Sequence, residues 1–108
     1  MPTFETPNQE KIIQELADKP KVKPPSMYEV LLLNDDFTPM DFVVDVLMRF
    51  FNKNAEQAEM ITMQVHHQGK GVCGIYPKDI AESKALQVES YSRQHHHPLQ
   101  CVAEKSDR

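Results

Sequence analysis

The sequence lacks several features that would assign it to a familiar class of protein. No apolar stretch in its 108 residues approaches the length needed to cross a membrane. The formal net charge of −4 leaves no excess of basic side chains for a nucleic-acid-binding surface. The first residues, MPTFETPNQE, lack the basic and apolar blocks of a signal peptide. These absences predict a cytoplasmic protein that binds neither nucleic acid nor membrane.

Signatures of catalysis and metal binding are also missing. The two cysteines, Cys73 and Cys101, form neither a CxxC redox motif nor a zinc-binding pair, and in the cytoplasm we expect reduced core residues. There is no phosphate-binding loop and no nucleophile with a matched base. The HHH run at residues 95–97 suits the end of a helix, where imidazoles complement the helix dipole. We therefore predict no cofactor, no metal and no enzymatic activity.

The chain divides into an arm and one folded domain. Residues 1–25 contain five of the eight prolines and only one short apolar cluster, so we expect a flexible N-terminal extension. Residues 26–108 contain the periodic apolar patterns of secondary structure. A chain of this length is expected to form one domain with a modest core.

Hydrophobic periodicity predicts three helices in the folded domain. Thr38 is the expected N-cap of the first helix, with Pro39 at the first helical position. Asn54 and Gly69 are the expected boundaries of the second helix. A third helix is expected to open at Pro77 and to run to about residue 94. Its predicted inner face consists of Ile80, Ala81, Ala85, Val88 and Tyr91.

Three predicted strands alternate with these helices. The segments MYEVLLLN, GVCGIY and LQCVAE are rich in strand-forming apolar residues. The resulting order is β-α-α-β-α-β. Helices that cover one side of a three-stranded antiparallel sheet form a small α+β sandwich, which is the predicted fold class.

The candidate ligand site comes directly after the first predicted strand. Polar side chains at the strand end and the first helical turn form one rim: Asn34, Asp35, Asp36 and Thr38. Each of the first two helices then presents side chains on one face: Met40 and Val43 on the first, and Thr62, Val65 and His66 on the second. If the two helices pack together, they form a pocket with apolar walls and hydrogen-bond acceptors at its mouth.

A peptide N-terminus satisfies both halves of such a pocket. Its α-ammonium group has three donors for amide, carboxylate and neutral imidazole acceptors, and an apolar first side chain would enter the well. Each feature also has an ordinary structural explanation, because Asn-Asp-Asp is common turn chemistry and single histidines are commonly structural. Two other functions stay open. One is an enzyme with His66 as a general base oriented by Asp35, and the other is a module whose acidic rim binds a basic protein.

The sequence resembles the ClpS family, the N-end rule adaptors of the ClpA–ClpP protease. The resemblance covers about residues 23–104 and rests on KPPSMYEVLLLNDDFTPMDFVVDVL, QVHHQGKGVCGIY, DIAESKA and HPLQC. It implies a protease adaptor that binds N-degrons, which are substrates with Leu, Phe, Tyr or Trp at the N-terminus. It further implies delivery of these substrates to the ClpA unfoldase through its N-terminal domain.

The resemblance also implies roles for individual residues. Asn34 and His66 would bind the α-amino group with charge complementarity from Asp35, and Asp36 and Thr38 would hold the peptide backbone. The side chains that would line the well are Met40, Thr62, Val65 and Leu99, with Val43 at its base. Asp79 and Lys84 would contact ClpA.

Two positions depart from the family pattern. Thr62 stands where many members have a methionine, which would widen the well or lower its selectivity against β-branched residues. Asp79 stands where a glutamate is common and is one methylene shorter, so we expect docking on ClpA to survive with altered strength. The arm of residues 1–25 is similar to the N-terminal extension that the family needs for handing over N-degrons.

Overall fold

The computed structural model describes residues 25–107. The predicted element order is confirmed, with β1 at Met27–Leu33, α1 at Met40–Phe50, α2 at Ala55–Gln68, β2 at Lys70–Pro77, α3 at Lys78–Gln94 and β3 at Gln100–Lys105. The predicted flexible extension lies outside the described residues, except for Pro25. None of the helices described here is long and apolar enough to cross a membrane.

β1 is the central strand of the sheet. The three strands are antiparallel in the order β2-β1-β3, which confirms the predicted α+β sandwich. Leu32 pairs with Gly71 on one side and with Cys101 on the other. Because alternate residues of a strand face opposite sides, Val30 and Leu32 project together into the core that the helices complete.

Both cysteines are free thiols inside this core. Cys73 lies on β2 and Cys101 on β3, and each is almost completely buried. Burial raises the pKa of both thiols, that of Cys101 to about 12. They therefore stay protonated and unreactive at neutral pH, because the thiolate is the reactive form.

The beginning of α1 differs from the prediction. Pro39 rather than Thr38 is the N-cap residue, and no side chain caps the helix. The Thr38 hydroxyl instead donates to the Asp35 carboxylate at 2.8 Å. The prediction of Thr38 as the cap was wrong because Asp35, three residues earlier, offers the threonine a competing local hydrogen bond.

Both predicted boundaries of α2 are present. The Asn54 side chain accepts from the Gln57 amide at 2.8 Å, and the Gln57 side chain accepts from the Asn54 amide at 3.1 Å, which forms a capping box. Gly69 ends the helix with φ of 88°, a left-handed conformation that glycine adopts with little strain. A Cβ at Gly71 would lie 2.8 Å from a methyl group of Val65, so glycine allows β2 to approach α2 closely.

α3 packs small side chains against the sheet. Ala81, Ala85, Val88 and Ser92 are buried, and the Ser92 hydroxyl donates to the Val88 carbonyl at 2.7 Å. The prediction that Ile80 faces inward is wrong, because its side chain is 45% exposed. Successive helical residues are about 100° apart, so the smaller Ala81 occupies the inward position.

Tyr91 joins α3 to α1. Its hydroxyl donates to Asp45 at 2.7 Å, and its ring stacks on Phe42 with 5.5 Å between centroids. Arg49 lies 3.5 Å from the Asp45 carboxylate and 5.1 Å above the Tyr91 ring. The hydrogen bond to Asp45 raises the pKa of Tyr91. These contacts join the outer parts of α1 and α3.

Replacement of Asn54 by alanine tests the capping box. Asn54→Ala should lower the free energy of unfolding by about 1 kcal/mol, because the Gln57 amide loses its acceptor at the helix start. Asn54→Asp keeps an acceptor and should retain nearly all of the stability. Urea unfolding measures both changes. Equal stability of the alanine and aspartate variants would show that the capping box contributes nothing.

Candidate functional site

One cavity of about 310 Å³ lies between the end of β1 and the first two helices. Its size falls at the lower end of the range of roughly 300–1,000 Å³ that is typical of small-ligand sites. All ten residues that the sequence suggested for the ligand site are among its lining residues. The complete lining is Leu33, Asn34, Asp35, Asp36, Thr38, Pro39, Met40, Val43, Thr62, Val65, His66 and Leu99.

The cavity has an apolar floor and a polar rim. Floor side chains are almost fully buried: Val43 is 6% exposed, Thr62 4%, Val65 3% and Leu99 1%. Asn34, Asp36 and His66 are exposed at the mouth. No lysine or arginine of the described chain lines the cavity, so its rim carries only negative formal charge at neutral pH.

A backbone hydrogen bond brings the two sides of the rim together. The Asn34 amide donates to the Gly69 carbonyl at 2.9 Å, which joins the end of β1 to the end of α2. Gly69 can accept this bond because its left-handed conformation turns the chain immediately after the helix. His66 lies in the last turn of α2, so this contact sets its ring beside the NDD segment.

Asp35 organises the loop that precedes α1. Its Oδ1 accepts from the amides of Phe37 at 2.8 Å and Thr38 at 2.7 Å, and its Oδ2 accepts from the Thr38 hydroxyl at 2.8 Å. These bonds form an Asx-type turn in which both carboxylate oxygens are engaged. Asp35 therefore holds the shape of the rim and adds negative charge to it from within the loop.

The other rim side chains keep their hydrogen-bonding capacity. Within residues 25–107, the side chains of Asn34 and Asp36 have no hydrogen-bond partner. The His66 ring makes an edge contact with the His67 ring at 5.2 Å between centroids, and its nitrogens have no partner in the same part of the chain. An amide oxygen, a carboxylate and an imidazole nitrogen are thus available to one ligand.

Thr62 adds no free hydrogen-bond donor to the floor of the cavity. Its hydroxyl donates to the Ala58 carbonyl at 2.8 Å, one turn earlier in α2. A buried hydroxyl that bonds to its own helix needs no polar partner from a ligand. The floor can therefore accept an apolar group although one of its members is a threonine.

Leu33 and Pro39 line the cavity but were missed by the sequence analysis. Leu33 is the last residue of β1, and Pro39 is the N-cap of α1, so both occupy the junctions where the chain enters and leaves the rim. Hydrophobic periodicity identifies residues within helices and strands, and turn chemistry identifies the polar ones between them. Leu33 directly precedes the NDD segment and Pro39 directly follows Thr38, so adjacency to the predicted rim residues was the available signal.

Asp79 and Lys84, the two residues expected to contact ClpA, lie in different environments on α3. Asp79 is exposed in the first turn of α3, beside a hollow of about 640 Å³ that Tyr28 and Pro77 also line. Lys84 is half-buried, and its ammonium group donates to the Phe50 carbonyl at the end of α1 at 2.8 Å. Five residues separate them, which places their side chains about 140° apart around the helix.

The three consecutive histidines do not converge on one point. The His95 Nδ1 lies 2.9 Å from the Tyr91 carbonyl, and the His97 ring packs 4.4 Å from the Phe42 ring. Across residues 25–107, no three His, Cys, Asp or Glu side chains are grouped to hold a metal ion. The run instead begins with the C-cap of α3 at His95 and continues into the turn that leads to β3.

The fold and the cavity together define a small α+β domain with an acid-rimmed apolar cavity suited to binding a ligand. Residues 23–102 match the family described as ATP-dependent Clp protease adaptor protein ClpS. The chain belongs to the ClpS family, whose members are protease adaptors.

Individual relatives agree with this assignment. The chain is 60% identical to the ATP-dependent Clp protease adapter protein ClpS of Nitrosospira multiformis, over 83% of this chain and 88% of that one. It is 61% identical to the ClpS of Rhodospirillum centenum, over 81% of each chain. The structure of Agrobacterium tumefaciens ClpS2 bound to L-phenylalaninamide is similar with a TM-score of 0.75 and 34% identity, over 77% of this chain and 100% of that one.

The two adjacent carboxylates of the rim should differ in their effect on stability. Asp35→Ala should lower the free energy of unfolding by about 2 kcal/mol, because three donors of the loop lose a charged acceptor. Asp36→Ala removes the neighbouring carboxylate, which has no such bonds, and should change stability by less than about 0.5 kcal/mol. Urea unfolding of both variants measures the difference. A similar loss in both would contradict the structural role of Asp35.

Proposed function

We propose that this protein is a cytoplasmic adaptor that binds N-degron substrates and delivers them to the ClpA unfoldase of the ClpAP protease. The substrates carry Leu, Phe, Tyr or Trp at a free N-terminus. One observation supports the proposal above all others. A single cavity combines a buried apolar floor with hydrogen-bond acceptors at its rim that have no partner within residues 25–107. An α-ammonium group beside an apolar side chain matches both parts.

The α-ammonium group is recognised by Asn34 and His66. Its three N–H donors require acceptors, and the Asn34 amide oxygen and a neutral His66 nitrogen supply two of them. The third donor binds water at the rim, where Asp35 and Asp36 provide negative charge. An acetylated N-terminus has neither the charge nor the three donors, so this site discriminates strongly against it.

Thr38 and Asp36 bind the peptide backbone beyond the first residue. The Thr38 hydroxyl donates its hydrogen bond to Asp35, so its oxygen remains available as an acceptor. Amide N–H groups of the peptide are the donors that suit this oxygen and the free Asp36 carboxylate. Asp35 therefore contributes to binding through the orientation of Thr38 as well as through its charge.

The first side chain of the substrate fills the well formed by Met40, Val43, Thr62, Val65 and Leu99. Burial of one large apolar side chain contributes about 1.5–3 kcal/mol. The related Agrobacterium ClpS2 binds L-phenylalaninamide. That compound combines a free α-amino group, an apolar ring and an amide in place of the following peptide bond, which are the three groups that this cavity would accept.

The two alternative functions have less support. An enzyme with His66 as a base would need an orienting partner, but the Asp35 carboxylate bonds to Phe37 and Thr38 rather than to His66. A module that binds basic proteins by charge alone would have no use for a floor that is almost fully buried and apolar.

Peptide titration tests α-amino recognition. Three decapeptides that differ only at the start carry Phe, N-acetyl-Phe or Ile. Calorimetry should detect binding of the free Phe peptide and at least about a hundredfold weaker binding of the acetylated one, because loss of a charged, hydrogen-bonded group costs about 3 kcal/mol. The Ile peptide measures whether Thr62 opens the well to β-branched residues.

Adjacent histidines provide the matched control for this titration. His66→Ala should weaken binding of the free Phe peptide by about tenfold, because one acceptor is lost. His67→Ala removes an imidazole that does not line the cavity and should leave the affinity unchanged. Equal affinities for free and acetylated Phe would reject the proposed function, and equal effects of the two histidine variants would reject the role of His66.

Docking on the ClpA N-terminal domain involves the beginning of α3. Asp79 is exposed there, and the hollow beside it is lined by Ser26, Tyr28 and Pro77. Lys84 contributes differently, because its ammonium group binds the Phe50 carbonyl and lies 5.7 Å from the Tyr76 ring. We therefore assign Asp79 to direct contact and Lys84 mainly to the support of this surface.

Charge reversal of Asp79 tests the docking surface. Asp79→Lys should weaken binding of the isolated ClpA N-terminal domain by about tenfold or more while leaving peptide affinity unchanged. Glu56→Lys makes the same reversal in the first turn of α2 and serves as the control. Lys84→Met should lower the free energy of unfolding by about 1–2 kcal/mol in addition to any loss of docking. If Asp79→Lys binds the ClpA N-terminal domain as tightly as the unchanged protein, Asp79 does not belong to the docking surface.

A further inference from the structure

Another hollow, here called the outer groove, lies beside the main cavity on the outer side of the first two helices. Its volume is about 410 Å³, and its lining consists of Met40, Asp41, Val44, Glu59, Thr62 and Met63. Met40 and Thr62 line both the outer groove and the main cavity. The two sites are therefore neighbours that share one wall.

The outer groove combines an apolar base with two carboxylates. Met40 is 41% exposed and Met63 44% exposed, so two flexible thioether side chains present apolar surface to solvent. Asp41 and Glu59 are exposed at its edge, one from each helix. Neither carboxylate has a hydrogen bond or an ion pair within residues 25–107, and no lysine or arginine of that range lines the groove.

We propose that the outer groove binds a lysine or arginine side chain at the second or third position of the same peptide whose first residue occupies the main cavity. The proposal rests on the proposed function, because it needs a peptide N-terminus held at the NDD rim. It assigns a second determinant of substrate choice to Asp41 and Glu59, which have no role in binding the first residue.

A basic side chain fits the outer groove in both of its parts. The aliphatic stem of lysine or arginine can lie on Met40, Val44 and Met63 while its charged end stays at the solvent edge. Methionine side chains adapt to such a stem because they are unbranched and flexible. The cation then meets Asp41 and Glu59, whereas an acidic side chain would be repelled by both.

The reach of the peptide limits the proposal to its first few residues. Each residue of an extended chain adds at most about 3.3–3.6 Å, so the second or third residue can cross a wall one side chain thick. An exposed ion pair contributes up to about 1 kcal/mol. The expected gain in affinity is therefore about threefold to fivefold at low ionic strength.

Fluorescence anisotropy with labelled decapeptides measures this gain in the full chain. The peptides begin with Phe and carry arginine at position 2, 3 or 4, each compared with citrulline, which has the same shape without the charge. Arginine should bind about threefold to fivefold more tightly than citrulline at position 2 or 3, and the gain should be absent at position 4. Salt of about 0.5 M should remove most of the difference.

Variants of the outer groove separate local binding from general electrostatic attraction. Asp41→Asn combined with Glu59→Gln should remove the preference for arginine and leave the citrulline peptide unaffected. Glu56→Gln removes the same charge from α2 one turn before Glu59, outside the groove, and should keep the preference. Asp41→Lys combined with Glu59→Lys reverses both charges of the groove and should reverse the preference, so that glutamate at the same peptide position binds more tightly than arginine.

The outcomes distinguish the outer groove from the proposed function. Tight binding of the citrulline peptides without any gain from arginine would overturn the groove alone. A loss of preference in Glu56→Gln as large as in the double variant would also overturn it, because the attraction would then come from the overall charge. Failure of every free-Phe peptide to bind would overturn the proposed function and the groove with it.

Discussion

The backbone hydrogen bond from the Asn34 N–H to the Gly69 carbonyl is the contact on which the candidate site depends. It joins the first residue of the polar turn to the residue that ends α2. Two glycines permit this approach: Gly69 by its left-handed turn, and Gly71 because a Cβ there would collide with Val65. This approach places the rim at one end of the sheet beside the face of α2, and the two line one cavity together with α1.

The consecutive carboxylates of the rim illustrate how neighbouring identical side chains take different tasks. Asp35 accepts three hydrogen bonds from the loop, whereas Asp36 accepts none within the described chain. A loop that carried only free carboxylates would need other groups to hold its amides in place. The first aspartate supplies this support, and the second remains available at the mouth. The paired motif therefore combines a structural function with a binding surface in two adjacent residues.

Local chemistry explains which parts of the fold the sequence could predict. Asn54 and Gly69 lie where no competing group intervenes, so the expected helix boundaries hold. Thr38 is not the cap because Asp35 binds its hydroxyl. Ile80 is not a core residue because it lies about 100° around the helix from the buried Ala81. Leu99 reaches the cavity through the pairing of Leu33 with Gln100 in β1 and β3. That long-range register has no local signal, and only the resemblance to ClpS indicated this residue.

In the proposed mode of binding, the wall between the main cavity and the outer groove would link the choice of the first peptide residue to the choice of the second and third. Met40 and Thr62 belong to both sites, so a longer side chain at position 62 would occupy space on both sides at once. Substitutions that share a wall are not expected to act additively. The Thr62 hydroxyl is bonded to the Ala58 carbonyl, and the longer, unbranched Met40 supplies most of the wall. Met40 and Thr62 thus form the wall between the two sites, and a change at either residue alters the shape of both.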